Sequence, residues 1–471
     1  MTMLFADRID RVAILAGGVL ATVAMWAFGY LSHLPGIMLP GPATLAGLSL
    51  VLLGAGRFVG AHATPAVAAA AGGVAGLINL LVLGSLLGGD DGRVGAEAAV
   101  WVPASIVVHA VVARLGSIGV RRVRWSAADW HGVMAAATTS AIVLVVVAGG
   151  LVTSTETGLA VPDWPNSYGV NMFLYPLSRM TGGIYFEHAH RLYGSLVGLT
   201  ALLHMILVWR GDARPAVRRF AVVIFFLVCC QGIMGGLRVT GRFTLEEVPL
   251  IDEAENLRWA VAHGVLAQII LGATATLWLL RSPSWQRSGS GRAGGAFLPV
   301  FLVFAGVMQL ILGAAYRHYQ SLGETGFTSL AVAHTSWAFV VAGLAIAVGT
   351  MTQGRFGVPP LLRKLGFGLV LVTGIQFLLG VAALFAVMGG AKSSEQPVAI
   401  LLATAHQANG AIFLSLSITI AAASVLAARA ARSIEPYGQS AFSDDALDSG
   451  TISEGEVVTA EAITSSNAST A

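Results

Sequence analysis

Apolar residues occur along this chain in long runs separated by short polar segments. A helix needs roughly 20 mostly apolar residues to cross the hydrocarbon of a bilayer. Twelve runs meet or approach this length, and each predicts a transmembrane helix. They lie near residues 12–32, 42–59, 66–89, 98–113, 133–152, 189–209, 220–237, 258–280, 297–314, 328–350, 365–389 and 397–428. The second and fourth runs are short or interrupted, so the helical signal is weakest there.

The composition favours an all-α polytopic membrane protein. Of the 471 residues, 56% are hydrophobic and 11% are charged. A soluble domain usually carries about 25% charged residues. We therefore expect about twelve transmembrane helices embedded in a lipid bilayer.

The basic residues are divided unevenly between alternate loops. If the N-terminus is cytoplasmic, nineteen Lys and Arg residues fall on the cytoplasmic side and seven on the outer side. Cytoplasmic loops of membrane proteins carry such an excess of basic residues. We predict that both termini are cytoplasmic, and that the net charge of +3 sets the topology rather than binding nucleic acid.

Two local features need an interpretation before the fold is considered. The first apolar run follows Arg8 and Arg11 as in a signal peptide, but it is long and leads into further helices. We interpret it as a retained signal anchor. The two cysteines, Cys229 and Cys230, are adjacent in an apolar run, and neighbouring cysteines rarely satisfy disulfide geometry. We predict that they are small unpaired residues of the core.

Four regions follow from these patterns. Residues 1–125 form a four-helix membrane module whose role the sequence does not indicate. Residues 126–285 and 286–431 each contain four predicted helices. Residues 432–471 form the fourth region. After Arg432 it carries acidic side chains among Ser, Thr, Ala and Gly, a composition typical of a disordered tail.

An internal repeat is marked by four histidines in predicted helices. They are His190 in EHAHRLYG, His263 in WAVAHGVLAQ, His334 in AVAHTSWAF and His406 in ATAHQANGA. The spacing within the two pairs is 73 and 72 residues, and between the pairs it is 144 and 143. Gln231 and Gln376 repeat at an offset of 145 residues. The last eight helices are therefore predicted to form two repeated four-helix bundles, with histidines on the second and fourth helix of each.

The depth of the histidines indicates what they bind. Each lies within about ten residues of the outer start of its helix, so at about 1.5 Å per residue all four share one layer of the membrane. An ionisable residue in a membrane helix is a functional candidate. Taken singly, each histidine could instead hydrogen-bond a carbonyl of a neighbouring helix; the joint pattern favours ligation.

The choice of metal follows from the donor set. Structural or catalytic zinc normally takes three or four protein ligands. Each half offers two imidazoles, few acids and no thiolate, whereas neutral imidazole suits iron. Two histidines on opposite faces of an iron porphyrin fit this set better. We therefore predict two haems, one in each half.

The two sites are predicted to differ in charge. Glu187, His190 and Arg191 share one helical face, because they are three and four residues apart. Ala331 and Thr335 stand at the matching positions around His334. Arg191 could pair with a haem propionate and Glu187 could transfer protons. Alternatively, the two side chains simply pair with each other.

At these residues the chain resembles the haem A synthase family, including its mitochondrial members. The likeness covers about residues 130–430: an E-x-x-H-R motif at Glu187, His190 and Arg191, a Q-G-x-x-G-x-x-x-V-T segment at 231–240, and the loop TETGLAVPDWP at 155–165. Many bacterial members carry a cysteine pair in the first outer loop, but residues 154–186 contain none. The first 125 residues have no counterpart in this resemblance.

The resemblance implies an enzyme that oxidises the C8 methyl group of haem O to a formyl group, making haem A for cytochrome oxidase. It implies that His190 and His263 flank the substrate haem O, with Arg191 in the same site, and that Glu187 is catalytic. His334 and His406 would ligate the iron of a haem b cofactor. The resemblance implies a location in the plasma membrane of a prokaryote. It also implies that haem O synthase delivers the haem O and that an electron acceptor or quinone receives the electrons. A homo-oligomer is compatible with this setting.

Two rival functions remain from the residues themselves. A dihaem b-type cytochrome could transfer electrons from quinol, although the unequal charges at the two sites favour a substrate haem. A transporter built on repeats is the second rival. Transporters often use inverted repeats with sites near the midplane, whereas here the repeated unit has an even number of helices and the histidines lie off-centre. In the outer loop, Asp163 and Trp164 either form a lid or cap a turn, and His318 beside Arg317 is a further candidate for propionate contact.

Overall fold

A computed structural model describes residues 7–34, 37–87, 93–240, 253–287, 295–319, 326–353, 358, 360–388 and 396–434. Within these residues the chain is almost entirely helical. The helices are α1 (Arg8–Ser32), α2 (Gly41–His62), α3 (Pro65–Val82), α4 (Ala98–Gly116), α5 (Ala127–Ser154), α6 (Gly182–Gly211), α7 (Pro215–Thr240), α8 (Glu253–Arg281), α9 (Pro283–Arg287), α10 (Phe297–Tyr319), α11 (Gly326–Gln353), α12 (Pro360–Met388) and α13 (Pro397–Ile434).

Twelve of these helices, all except the short α9, are long and apolar enough to cross a membrane. The predicted all-α polytopic membrane protein is therefore confirmed. The second and fourth apolar runs, where the pattern was weakest, form α2 and α4. The predicted acidic tail lies outside the described residues beyond position 434.

Helix starts follow from capping residues at the ends of the apolar runs. The Thr64 side chain accepts a hydrogen bond from the Val67 main chain at 3.2 Å, and Pro65 occupies the first turn of α3. Ser126 and Asp129 form a reciprocal capping box at the start of α5. Each cap satisfies main-chain N–H groups that a helix leaves unpaired. The capping box at Ser126 therefore marks a helix start at the boundary where the first half is predicted to begin.

The first four helices pack tightly against one another and against α5. A Cβ at Gly56 would overlap the main chain of Ala113, and one at Gly116 would overlap that of Leu53, so α2 and α4 approach at backbone distance. Helix α1 contacts α3 and α5 along its length. One continuous apolar core joins α1, α3, α5 and α6, and a second joins α10 to α13. The N-terminal helices therefore share their core with the predicted first half.

The segment between α5 and α6 carries a two-stranded antiparallel hairpin. Strand β1 (Asn166–Ser167) pairs with β2 (Val170–Asn171), with Asn166 opposite Asn171. We call the end of the bundle that bears residues 155–181 the loop end. The four histidines lie in the parts of their helices that are nearest to this end.

The cysteine prediction is half correct. Cys229 and Cys230 are unpaired, as expected, but Cys229 is exposed on α7 and Cys230 is half-buried. The prediction that both belong to the core is wrong. An apolar run in a membrane helix has a lipid-facing side as well as a packed side, and sequence hydrophobicity does not distinguish them.

Candidate haem-binding sites

The four histidines meet as two pairs with almost the same geometry. The rings of His190 on α6 and His263 on α8 have centres 6.3 Å apart and planes at 75°. The rings of His334 on α11 and His406 on α13 have centres 6.3 Å apart and planes at 79°. Tertiary folding thus brings together histidines that are separated by more than seventy residues.

The ring separation suits a metal between two axial ligands. An imidazole nitrogen binds a transition metal at about 2 Å and the ring centre lies roughly 1 Å farther away, so two axial imidazoles have centres about 6 Å apart. Both pairs have this separation. Among the described residues no group of three or more His, Cys, Asp or Glu side chains converges as a metal site. Two imidazoles without further protein ligands fit an iron porphyrin, whose ring supplies the other donors.

A glycine on the preceding helix makes room for each histidine ring. A Cβ at Gly149, Gly235 or Gly380 would lie 3.0–3.1 Å from Cε1 of His190, His263 or His406 respectively. At Gly313 the corresponding distance to Cε1 of His334 is 2.6 Å. A larger residue at these positions would displace the ring. All four candidate ligands therefore depend on a glycine of an adjacent helix.

A glutamine stands one turn before three of these glycines. Gln231 and Gln309 donate to the main-chain carbonyls of His263 and His334, at 2.9 and 3.0 Å. Gln376 lies 3.2 Å from His406 Nδ1. The matching position on α5 is Val145, so the His190 environment lacks this amide. A Q-x-x-x-G spacing in three helices is the sequence signal that would have revealed Gln309 and three of the four glycines.

Main-chain groups of the preceding helix approach the histidine rings in both pairs. In the first pair, whose Nδ1 atoms are buried, Val145 approaches His190 and Gln231 approaches His263. In the second pair, His334 Nδ1 is 3.2 Å from the Gln309 carbonyl oxygen. Such a bond orients a ligating imidazole and directs its other nitrogen to the metal. The residues present in both pairs therefore fit axial ligation of a haem.

Glu187 is buried one turn before His190, and both of its carboxylate oxygens are held. Oε1 accepts a hydrogen bond from Arg191 Nη2 at 2.7 Å, and Oε2 accepts one from the Ala160 main chain at 3.0 Å. Its exposed fraction is 4%. The predicted alternative in which Glu187 and Arg191 pair with each other is therefore present in the structure. The carboxylate is fixed in position at the first histidine pair.

Arg191 also holds the loop above this pair. Its Nη1 donates to the Asp163 carbonyl at 2.6 Å and its Nη2 to the Val161 carbonyl at 2.7 Å. A further bond of 3.1 Å reaches the Asn166 carbonyl. The Arg191 guanidinium therefore binds the main chain of the loop through three carbonyl groups. The expectation that Arg191 contacts a haem propionate stays a prediction.

Other side chains fix the same loop against the bundle. The Asp163 carboxylate accepts from the main-chain N–H groups of Tyr168 and Gly169 at 2.7 and 2.8 Å, so Asp163 caps a turn. The Trp164 indole packs where a Cβ at Gly236 would lie. His188 Nδ1 is 3.0 Å from Ser167 Oγ on strand β1. The loop is thus a fixed cover over the first histidine pair.

Arg238 on α7 is the functional candidate that sequence reasoning missed. Its guanidinium is close to Gly158 of the loop and interacts electrostatically with Glu187, His190 and His263. Its Nε is buried without a hydrogen-bond partner among the described residues. A buried cation with an unsatisfied donor favours an anionic ligand. The motif match at 231–240 included this position, but no pattern indicated that it reaches the first pair.

The end of α10 reaches across to the first half. His318 interacts electrostatically with His263 and Arg238, although it belongs to the predicted second half. Arg317 donates to the Thr153 carbonyl at 2.8 Å. Elsewhere, Thr404 on α13 donates to Ser154 on α5 at 3.2 Å. The two histidine pairs therefore belong to one packed assembly, and His318 lies beside the first of them.

Comparison with known proteins gives a family match over the first histidine pair. Residues 132–323 match the family described as cytochrome oxidase assembly protein. The haem A synthase of Rhodospirillum centenum is 26% identical over 324 residues, covering 58% of this chain and 82% of that protein. The haem A synthase of Rhodopseudomonas palustris strain BisB5 is 27% identical over 201 residues, covering 37% of this chain and 52% of that protein.

A mammalian protein shows the same likeness. Heme A synthase COX15 of Mus musculus is 26% identical over 221 residues, covering 38% of this chain and 52% of that protein. The chain thus spans about half the length of the Rhodopseudomonas and mouse proteins. Helices α6 to α8, which carry His190 and His263, fall entirely within the matched residues, and α5 does so except for its first turn.

Proposed function

We propose that this chain, which is similar to haem A synthases over its matched residues, oxidises the C8 methyl group of haem O to a formyl group, giving haem A for cytochrome oxidase. The observation that carries the proposal is a chemical difference between two geometrically equal histidine pairs. Both pairs have ring centres 6.3 Å apart, but a buried carboxylate accompanies the first pair, whereas Ala331 stands at the matching place in the second.

In this proposal the two pairs have different ligands and roles. His190 and His263 hold the substrate haem O within residues 126–285. His334 and His406 hold a haem b cofactor within residues 286–431. Haem b supplies one-electron redox chemistry when it is bound. The Gln309 carbonyl and the Gln376 amide contact the imidazole rings of His334 and His406, which supports ligation by these rings.

Glu187 is proposed as the catalytic residue that holds or moves a proton. Arg191 and the Ala160 main chain position its Oε1 and Oε2 on the same helical face as His190. A fixed carboxylate in a site with little water avoids the reorganisation that a mobile one requires. Loop residues 155–181 keep solvent from the first pair. Arg191 therefore serves chiefly to position Glu187 and this loop.

Arg238 is proposed to bind a propionate of the substrate haem. Its unsatisfied Nε and its position beside His190 and His263 support this assignment. A guanidinium recognises a carboxylate through paired hydrogen bonds, which a lysine cannot form. The propionate edge of the porphyrin would then face the loop end. His318 is placed to contribute beside it.

The membrane setting extends the proposal. The protein is placed in the plasma membrane in this proposal, and the uneven distribution of basic residues supports an orientation with the loop end outside and both termini cytoplasmic. Haem O, a membrane-soluble product of a prenyl transfer, would be supplied by haem O synthase. Electrons would leave through an acceptor such as a quinone.

Pigment analysis of the purified protein tests this function. The protein is supplied with haem O under air and a redox partner, and its haems are then extracted and separated. Formation of haem A supports the enzyme. If haem O and haem b are recovered unchanged while the protein accepts electrons from quinol, it is a dihaem cytochrome and the proposal is wrong.

A further inference from the structure

Four equivalent positions on α5, α7, α10 and α12 differ at one member. Each lies four residues before a glycine that faces a histidine ring, and the four are Val145, Gln231, Gln309 and Gln376. Three of them carry a glutamine whose amide reaches a histidine of the next helix. The Val145 main chain approaches the His190 ring, but its side chain has no hydrogen-bonding group. One candidate ligand of the four therefore lacks an amide contact.

Two of the amides join the backbone of the ligand-bearing helix to the helix before it. Gln231 on α7 donates to the His263 carbonyl of α8 at 2.9 Å. Gln309 on α10 donates to the His334 carbonyl of α11 at 3.0 Å. Each bond fixes the segment of backbone from which a ligating ring projects. The matching segment of α6 at His190 has no such bond to a side chain of α5 among the described residues.

The space that the third amide fills at His406 is open at His190. Gln376 Nε2 lies 3.2 and 3.3 Å from the two ring nitrogens of His406. A Cβ at Gly410, one turn after His406, would lie 3.1 Å from the same Nε2 atom. A Cβ at Gly194, one turn after His190, would meet nothing within 4 Å. The shorter side chain of α5 thus leaves room beside the first candidate ligand.

The side-chain contacts that hold α6 near His190 do not involve the His190 ring. The Tyr193 hydroxyl donates to the Trp26 carbonyl on α1, and Arg191 donates to carbonyls of the loop. Among the described residues, no side chain forms a hydrogen bond with the His190 ring itself. The helix is therefore fixed in place while the ring is not.

Groups that contact a ligating histidine change metal affinity by about 10- to 100-fold. An iron bound by a porphyrin and two imidazoles has no free coordination position, whereas catalytic metal centres keep one open. We propose that Val145 makes His190 the exchangeable axial ligand of the first pair, so that His190 withdraws from the iron while His263 stays bound. Val145 is then a positioning residue, because it acts through His190. The inference rests on the proposed function, which places the substrate haem between His190 and His263.

The test follows carbon monoxide binding to reduced full-length protein with haem O at the first pair and haem b at the second. Carbon monoxide binds such an iron only after an axial imidazole has left, so its binding rate at each pair reports ligand dissociation. Protein with His334→Ala, which is expected to lose haem b, identifies the kinetic phase of the first pair. In wild type this phase is expected to be at least about tenfold faster than that of the second pair.

Three variants separate the amide from the size of the side chain. Val145→Gln installs the fourth amide and is expected to slow the phase of the first pair by about three- to tenfold, the effect of one hydrogen bond. Val145→Leu adds bulk without an amide and is expected to keep the rate within about twofold of wild type. Gln309→Val removes an amide and is expected to speed binding at the second pair by about three- to tenfold. Haem content measured on the same samples shows that both sites are folded.

Equal rates at the two pairs in wild type, or equal slowing in Val145→Gln and Val145→Leu, would overturn the inference. The inference and the proposed function also fail in different ways. If wild type forms haem A but Val145→Gln binds carbon monoxide as wild type does, Val145 does not control the ligand and the function stands. If Val145→Gln slows binding as expected but wild type forms no haem A from haem O, the positioning role stands and the function is wrong.

Discussion

Glu187 and Ala331 each precede a candidate iron ligand by three residues, in the first and second pair respectively. A helix places such residues on the same face as the histidine. Only the first position carries an ionisable group, which is buried and held through both oxygens. At the residue scale, this difference gives the first pair a fixed, buried carboxylate that the second pair lacks.

We expect Glu187→Gln to keep both haems bound but to lower haem A formation by about 10²- to 10⁴-fold, the usual contribution of a positioned acid or base. The amide oxygen can still accept from Arg191, whereas the amide nitrogen cannot accept from the Ala160 main chain, so one contact of Glu187 with the loop is lost and those of Arg191 remain. Haem content and haem A yield are measured on the same sample. Glu156→Gln, on a side chain that is 55% exposed, is the control and should be neutral. Normal turnover in Glu187→Gln would remove this residue from the mechanism.

Substitution of single ligands should separate the two haems. His334→Ala is expected to lower haem b content while the protein still binds haem O, and His190→Ala is expected to do the reverse. Each variant removes one of two axial imidazoles from one pair. Extracted haem per protein is the measurement, with exposed His33→Ala as control. Unaltered spectra in both variants would refute the ligand assignment.

The glycines that face the rings allow a test without removing any ligand. Gly313→Val should displace His334, since even a Cβ there would lie 2.6 Å from Cε1 of the ring. Haem b occupancy should fall while the first site is retained. Gly343→Val, at a glycine with nothing within 4 Å of the added Cβ, is the control for a branched residue in the same part of the bundle. Similar haem b occupancy in the two variants would contradict the contact.

At the scale of helices, Asp212 joins three elements at the end opposite the loop. Its carboxylate accepts from Arg214 at 2.7 and 2.9 Å and from Arg281 at 2.6 Å. The residue follows α6, Arg214 precedes α7, and Arg281 ends α8. Burial by itself raises the pKa of Asp212, but the hydrogen bonds from Arg214 and Arg281 outweigh it and hold the pKa below its ordinary value.

Asp212→Asn should destabilise this end by about 3–5 kcal/mol, because Arg281 would stay buried without its anion. The lowered pKa means that the ionised carboxylate stabilises the folded state at neutral pH and loses this effect only as the pH falls through the folded-state value. Thermal unfolding in detergent at pH 7 measures the change. Asp7→Asn, in an exposed pair with Arg124, should cost about 0–1 kcal/mol. Equal effects of the two substitutions would argue against the clamp.

At the scale of the whole molecule, the N-terminal helices complete the first half. Trp26 on α1 packs edge-on against Tyr193 of α6, with ring centres 5.1 Å apart, and the Tyr193 hydroxyl donates to the Trp26 carbonyl. Tyr185 on α6 stacks on Tyr30 and donates to its carbonyl at 2.9 Å. These tyrosines flank Glu187 and His190 on the same helix. The role we infer for α1 is to hold α6 in place.

Trp26→Ala should therefore lower stability by about 3–5 kcal/mol, as expected for a buried tryptophan. It should also weaken haem binding at His190 and His263 more than at His334 and His406. Thermal unfolding and haem content of each site are the measurements. Trp101→Ala, at a side chain that is 58% exposed on α4, should change neither. Equal loss of both haems would contradict a specific link between α1 and the first site.

Local patterns in the sequence determined the number of membrane helices and the four histidine-bearing segments. Both are local properties: the length of an apolar run, and the rarity of ionisable residues within it. The unequal charges at Glu187 and Ala331 were also readable, because helical spacing relates near neighbours to one face. The Q-x-x-x-G spacing was equally local and could have been found.

Only the tertiary structure decided which distant side chains meet. In the folded chain Arg191 donates hydrogen bonds to loop carbonyls, and Arg238 lies beside the first histidine pair. Cys229 lies at the surface, and α1 packs against α6. Hydrophobicity specifies that a helix is buried in the membrane, but the contacts between helices depend on shape and hydrogen bonding across the bundle.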